Sequence, residues 1–107
     1  MKVPKSFNFQ GHTIRVVYDN DRCAERNCVG LACYMENAII LADRADDKDL
    51  PESVKLHSYY HELLHFIFSA TGQERLNSDE KFIDIAAGLL HQVLLTSKYD
   101  EDTDKKI

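Results

Sequence analysis

The stretch Pro51–Ala70, PESVKLHSYYHELLHFIFSA, decides how this chain is organised. It opens on a proline suited to the first turn of a helix, has no Gly or Pro in its interior and meets Gly72 as a stop, so it predicts a helix over roughly 51–70. Everything before it has a different character. Phe7 and Phe9, the Gln10-Gly11 pair and the run Ile14–Tyr18 predict a β-hairpin. The polar stretch Asp19–Asn27 has no clear period. Val29–Met35 and Ala38–Leu41 read as two further extended runs parted by Glu36-Asn37, a pair that tolerates tight-turn conformations. A charged loop, Asp43–Asp49, closes this half.

After the helix, the connector Thr71–Asn77 leads to a second start signal. Asn77 or Ser78 can cap there, and Asp79 and Glu80 suit the positive end of the helix dipole. Phe82, Ile83, Ala86, Leu89, Leu90, Val93 and Leu94 then recur at helical spacing to about Ser97. The expected class is α+β: a small, mostly antiparallel sheet from the N-terminal half, packed on two long helices. Lys98–Ile107 is mostly charged and reads as a frayed tail.

Length allows one domain, spanning 1–107. Hydrophobic residues at 44%, with only 4 Gly and 2 Pro, argue against disorder and low complexity. Thirteen Lys plus Arg against eighteen Asp plus Glu give a net charge of −5, which offers no field to gather nucleic-acid phosphates or anionic lipid. The longest apolar runs, Ala38–Ala42 and Leu63–Phe68, fall far short of the roughly 20 residues that cross a bilayer. The first residues carry charge without the apolar core of a secretory signal, so a cytoplasmic site is expected. Cys23, Cys28 and Cys33 are odd in number and four residues apart, matching neither a disulfide framework nor a zinc knuckle; they read as reduced thiols.

Within the first long helix lies His61-Glu62-Leu63-Leu64-His65. Four residues is a little over one turn, so both imidazoles project from one face and can converge on a single ion. Glu62 sits some 100° around the helix, turned from ligation yet close enough to take a proton from a water at that ion. With this composition the pattern arises by chance at roughly the one or two per cent level.

Two histidines leave a zinc ion short of protein ligands. Glu80 and Asp84 are again i and i+4 on the second helix, and antiparallel packing through a short connector brings Glu80 within reach. Asp84, one turn further on, can accept the remaining ring N–H of a ligating histidine. Asp79 is the nearest rival as third ligand. His57, one turn before His61, could enter the cleft but reads more readily as a satisfied or partly exposed side chain. His91 lies about 16 Å of helix beyond Glu80 and reads as a packing residue. None of the five tyrosines is singled out as an oxyanion donor.

Across about Tyr60–Leu90, HELLH followed by Glu80-x-x-x-Asp84 resembles the signature of gluzincins, the thermolysin-like zinc peptidases that carry HExxH plus a downstream ExxxD. The resemblance implies Zn2+ held by His61, His65 and Glu80, with Glu62 as general base and Asp84 as the partner of the first histidine. Small size and the order of strands followed by two helices are most similar to minigluzincins and to compact phage and mobile-element metallopeptidase domains, a zincin-like minimal scaffold. In minigluzincins the resemblance implies a latent form that assembles as a homo-oligomer. Metzincins match poorly, since Phe68 and Thr71 stand where their longer motif wants Gly and His or Asp.

The expected function is therefore zinc-dependent hydrolysis of a protein or peptide substrate that pairs with an edge strand within Val29–Leu41. The alternative is a non-catalytic, zinc-containing regulatory or assembly protein of phage type that binds a protein partner.

Overall fold

The computed structural model describes residues 2–100. Its first strands, β1 (Ser6–Phe9) and β2 (His12–Tyr18), form the expected hairpin, with Phe9 opposite His12. The turn between them places Gln10 at φ 50° and Gly11 at φ 80°, two positive values in succession, as a two-residue hairpin loop compatible with strand twist requires.

From β2 the chain crosses through a short helix, α1 (Asn20–Glu25), to the far side of the sheet. The Asp19 carboxylate caps α1 by accepting the Arg22 N–H. The chain then enters β3 (Gly30–Cys33) and turns back as β4 (Ala38–Leu41), giving the order β1-β2-β4-β3. Because β3 reaches the sheet first and β4 folds back beside it, β4 runs parallel to β2, with Val16 opposite Ile39. The sheet is thus mixed: two of its three pairings are antiparallel and the central one is not. The run expected to stay extended to Met35 leaves the strand at Cys33. Tyr34–Glu36 forms a 3-10 turn, ended by Asn37 in the left-handed region.

Strand β4 is buried on both faces, which explains its unbroken apolar sequence. Ile39 and Leu41 face the helices and join Ile14, Val16, Leu56, Tyr59, Phe66 and Ala87 in the main core. Ala38, Ile40 and Ala42 face the other way and pack with Cys23 of α1. Cys23, Cys28 and Cys33 are all free thiols. The expected charged loop contains a small ladder, β5 (Arg44–Ala45) with β6 (Lys48–Asp49), turned by Asp46 and Asp47 at positive φ and tied by an Arg44–Asp49 ion pair.

Helix α2 (Glu52–Ala70) lies across the sheet and packs along α4 (Glu80–Thr96), with the short α3 (Glu74–Asn77) in the connector. Asp79, not Asn77 or Ser78, caps α4, its carboxylate accepting the Phe82 N–H at 3.0 Å. The inward side of α4 is Ile83, Ala87 and His91, with Leu90 and Leu94 partly covered. Phe82, Ile85, Leu89 and Val93 instead point to solvent, so the apolar residues of α4 exceed what one neighbour can cover.

Among the described residues no helix is long and apolar enough to cross a membrane. Of the expected tail, 98–100 has no regular structure and 101–107 lies outside the described residues. Ile39 is fully buried whereas Leu89 is 59% exposed. In urea unfolding, Ile39→Ala should cost about 2–5 kcal/mol and Leu89→Ala under about 1 kcal/mol, and equal losses would contradict this assignment of faces.

Candidate metal centre

Helical spacing sets His57, His61 and His65 in one row on α2, and Glu80 and Asp84 one turn apart on α4. The rings of His61 and His65 lie 5.1 Å apart. Between them comes the Glu80 carboxylate, with Oε2 2.9 Å from His61 Nε2 and Oε1 3.0 Å from His65 Nε2. One nitrogen or oxygen from each of the three residues lies within 4.8 Å of the other two.

The opposite ring nitrogens are also held. His61 Nδ1 lies 3.3 Å from Asp84 Oδ1, and His65 Nδ1 lies 2.7 Å from Asn77 Oδ1. The Asn77 amide is oriented by its own Nδ2, which donates to the Tyr34 hydroxyl at 3.4 Å, while that hydroxyl donates to the His65 carbonyl at 3.3 Å. Each ring thus faces acceptor oxygens through both nitrogens, although a neutral imidazole carries a single N–H. A cation between the two Nε2 atoms and Glu80 would satisfy all three groups at once.

Two imidazole nitrogens and one carboxylate oxygen could hold a divalent cation. Ligand atoms about 2.0–2.2 Å from a tetrahedral ion lie about 3.3–3.5 Å from one another. The 2.9 and 3.0 Å contacts need to open only slightly to admit it. Asp84 and Asn77 already fix the rings so that Nε2 points inward.

Glu62 projects from α2 toward β3 and is 8% exposed. Its carboxylate takes a backbone hydrogen bond from Ala32 and sits against Gly30, where a Cβ would come within 3.0 Å of Oε2. Burial, reinforced by the nearby Glu80 charge and opposed by His65, pushes its pKa up to about 7. Asp84 moves the other way, held low by hydrogen bonds from His57 first and His61 second. These groups line a cleft of about 930 Å³ between α2, α4 and β3.

His61, His65, Glu80, Glu62 and Asp84 are therefore brought together. Asp79 is occupied as the α4 cap and lies outside the cluster. His91 is buried against the Tyr60 ring, in keeping with a packing role, and its Nε2 has no hydrogen-bond partner among the described residues. His57 is partly exposed and satisfied, as expected, with Nε2 2.9 Å from Asp84 Oδ1, and it also borders the cleft. Asn77 and Tyr34 escaped the sequence reading. The signal for Asn77 was the unmet need of His65 Nδ1 for an acceptor.

Comparisons with family models, with curated proteins and with solved structures find no match to this chain.

A carboxyl whose pKa is higher in the folded than in the unfolded state disfavours folding once it ionises. In metal-free protein, Glu62 should lower stability as pH rises from about 4.5 to about 7, with no further loss above. Glu62→Gln, unfolded in urea with chelator present, should gain on the parent between pH 5 and pH 8 by up to roughly 3 kcal/mol. An unchanged difference would show that the carboxyl is not buried as described.

Proposed function

We propose that this protein is a zinc-dependent peptidase, with His61, His65 and Glu80 holding the ion and Glu62 as general base. The observation that carries the proposal is the convergence of two imidazole nitrogens and one carboxylate beside a buried acid in an open cleft. Zinc bound there would supply a Lewis acid that lowers the pKa of a water to about 7 and polarises a carbonyl.

The chain's own residues account for the rest. Asp84 and Asn77 hold the Nδ1 side of the two rings, fixing tautomer and orientation. Glu62, whose pKa lies near neutrality, can accept the proton of the attacking water and return it to the leaving amine. Strand β3 is an edge of the sheet and its residues Gly30–Ala32 border the cleft, so an extended peptide can add alongside it. Three free thiols fit a reducing compartment such as the cytoplasm.

A second reading, a zinc-containing assembly protein without turnover, draws on the exposed stripe Phe82, Ile85, Leu89 and Val93, which a partner would cover.

One set of measurements separates the two. The parent should copurify with about one zinc and cleave unfolded protein or a peptide library. Glu62→Gln should keep the zinc and lose about 10²–10⁴-fold in rate. His61→Ala should lose the metal, and Asp84→Asn or Asn77→Ala should weaken zinc binding by about 10–100-fold. Zinc retained with no cleavage by the parent would favour the assembly protein, and no zinc in any preparation would dismiss both.

A further inference from the structure

We infer that His57, His61 and Asp84 form a second divalent-cation site, one helical turn from the first and sharing the His61 ring with it. His57, His61 and His65 stand at i, i+4 and i+8, and Glu80 and Asp84 at j and j+4 on the facing helix. Two imidazoles and one carboxylate therefore occur twice, displaced by one turn, about 6 Å along α2. In the second set His57 Nε2 is 2.9 Å and His61 Nδ1 is 3.3 Å from Asp84 Oδ1, and the three ligand atoms lie within 4.8 Å of one another.

Two features make this more than a pair of hydrogen bonds. A single oxygen, Asp84 Oδ1, is shared by two ring nitrogens from different residues, the arrangement an ion would bridge. Gly88 opens the space that the His57 ring occupies, since a Cβ there would lie 3.3 Å from His57 Cε1. Asp84 is 62% exposed at its side chain, so water can complete the coordination. Two nitrogens and one carboxylate oxygen suit zinc and similar borderline divalent metals.

The relation between the sites rests on the proposed role of His61, whereas the second site stands on its own ligands. A neutral imidazole offers one lone pair, and the other nitrogen keeps its proton. With Nε2 ligating the first ion, Nδ1 carries the proton that Asp84 accepts. The second ion must then displace that proton to solvent, so that the His61 ring bridges the two ions. Two dications about 6 Å apart also repel. Each site therefore weakens the other, and disabling the first should strengthen the second.

The test is zinc titration of chelator-stripped protein, followed by calorimetry and equilibrium dialysis, with folding checked by circular dichroism. The parent should bind one zinc tightly and a second at least roughly tenfold more weakly. His57→Gln should remove only the second. The double variant His65→Ala/Glu80→Gln, which releases His61 from the first site, should bind one zinc at least roughly tenfold more tightly than the parent's second, and adding His57→Gln should abolish it. A parent that binds one zinc, lost in the folded double variant and untouched by His57→Gln, would overturn the second site and leave the peptidase centre standing. A single zinc lost in His57→Gln but kept in the double variant would support the second site and displace the first. If the double variant does not fold, loss of the parent's second zinc in His57→Gln decides: its loss supports the site, and two zinc ions retained would overturn it. No zinc bound by the parent would overturn both centres.

Discussion

The structure turns on one carboxylate held across two imidazoles. Glu80 spans His61 Nε2 and His65 Nε2 only because α4 lies against α2 in a particular register. That register has visible causes. Gly72 at φ 71° ends the run of α2, α3 takes up the connector, and the Asp79 side chain starts α4 so that Glu80 occupies its first turn. Ala87 and Gly88 present little side chain where α4 meets α2, which lets the helices approach as closely as hydrogen bonding between their side chains demands.

Electrostatics then divides the acids of the cleft by environment. Glu62, Glu80 and Asp84 share one cavity with four histidines, His57, His61, His65 and His91. Asp84 receives two ring hydrogen bonds and is stabilised as an anion, while Glu62 is enclosed by α2 and β3 and resists ionisation. Carboxyls driven apart in this way can hold different tasks at one pH, one orienting a ring and one exchanging a proton. The difference comes from position: Glu62 is turned toward the sheet, Asp84 toward the mouth of the cleft.

Most of this was legible because it depends on period. The i, i+4 pairs His61/His65 and Glu80/Asp84, the Gln10-Gly11 turn and the two long helices follow from local spacing that no tertiary contact overrides. What stayed hidden depends on contacts distant along the chain. The parallel β2–β4 pairing results from the crossing through α1, which no local pattern encodes. The 3-10 turn at Tyr34–Glu36 brings the Tyr34 hydroxyl to Asn77, 43 positions away, and so could not be read from a strand-like run. His57 looked ordinary because its partner, Asp84, is on another helix. Asp79 stood as a rival to Glu80 because capping and ligation call for the same side chain at a helix start.

The mixed topology also bears on the chemistry. Had β3 and β4 simply continued a meander after β2, β3 would have been the inner strand, paired on both sides. Because the chain crosses first and returns second, β3 becomes the edge beside α2 and keeps one side for other contacts. One of these is the hydrogen bond from Ala32 to Glu62, and another is the close approach at Gly30, where a Cβ would lie 3.0 Å from Glu62 Oε2. The same strand that could align a peptide therefore also encloses the acid that would act on it. A shift of β3 toward or away from α2 would alter the burial of Glu62 and, on the proposed function, the alignment of a bound peptide together, so sheet order and the environment of Glu62 are constrained by the same few ångströms.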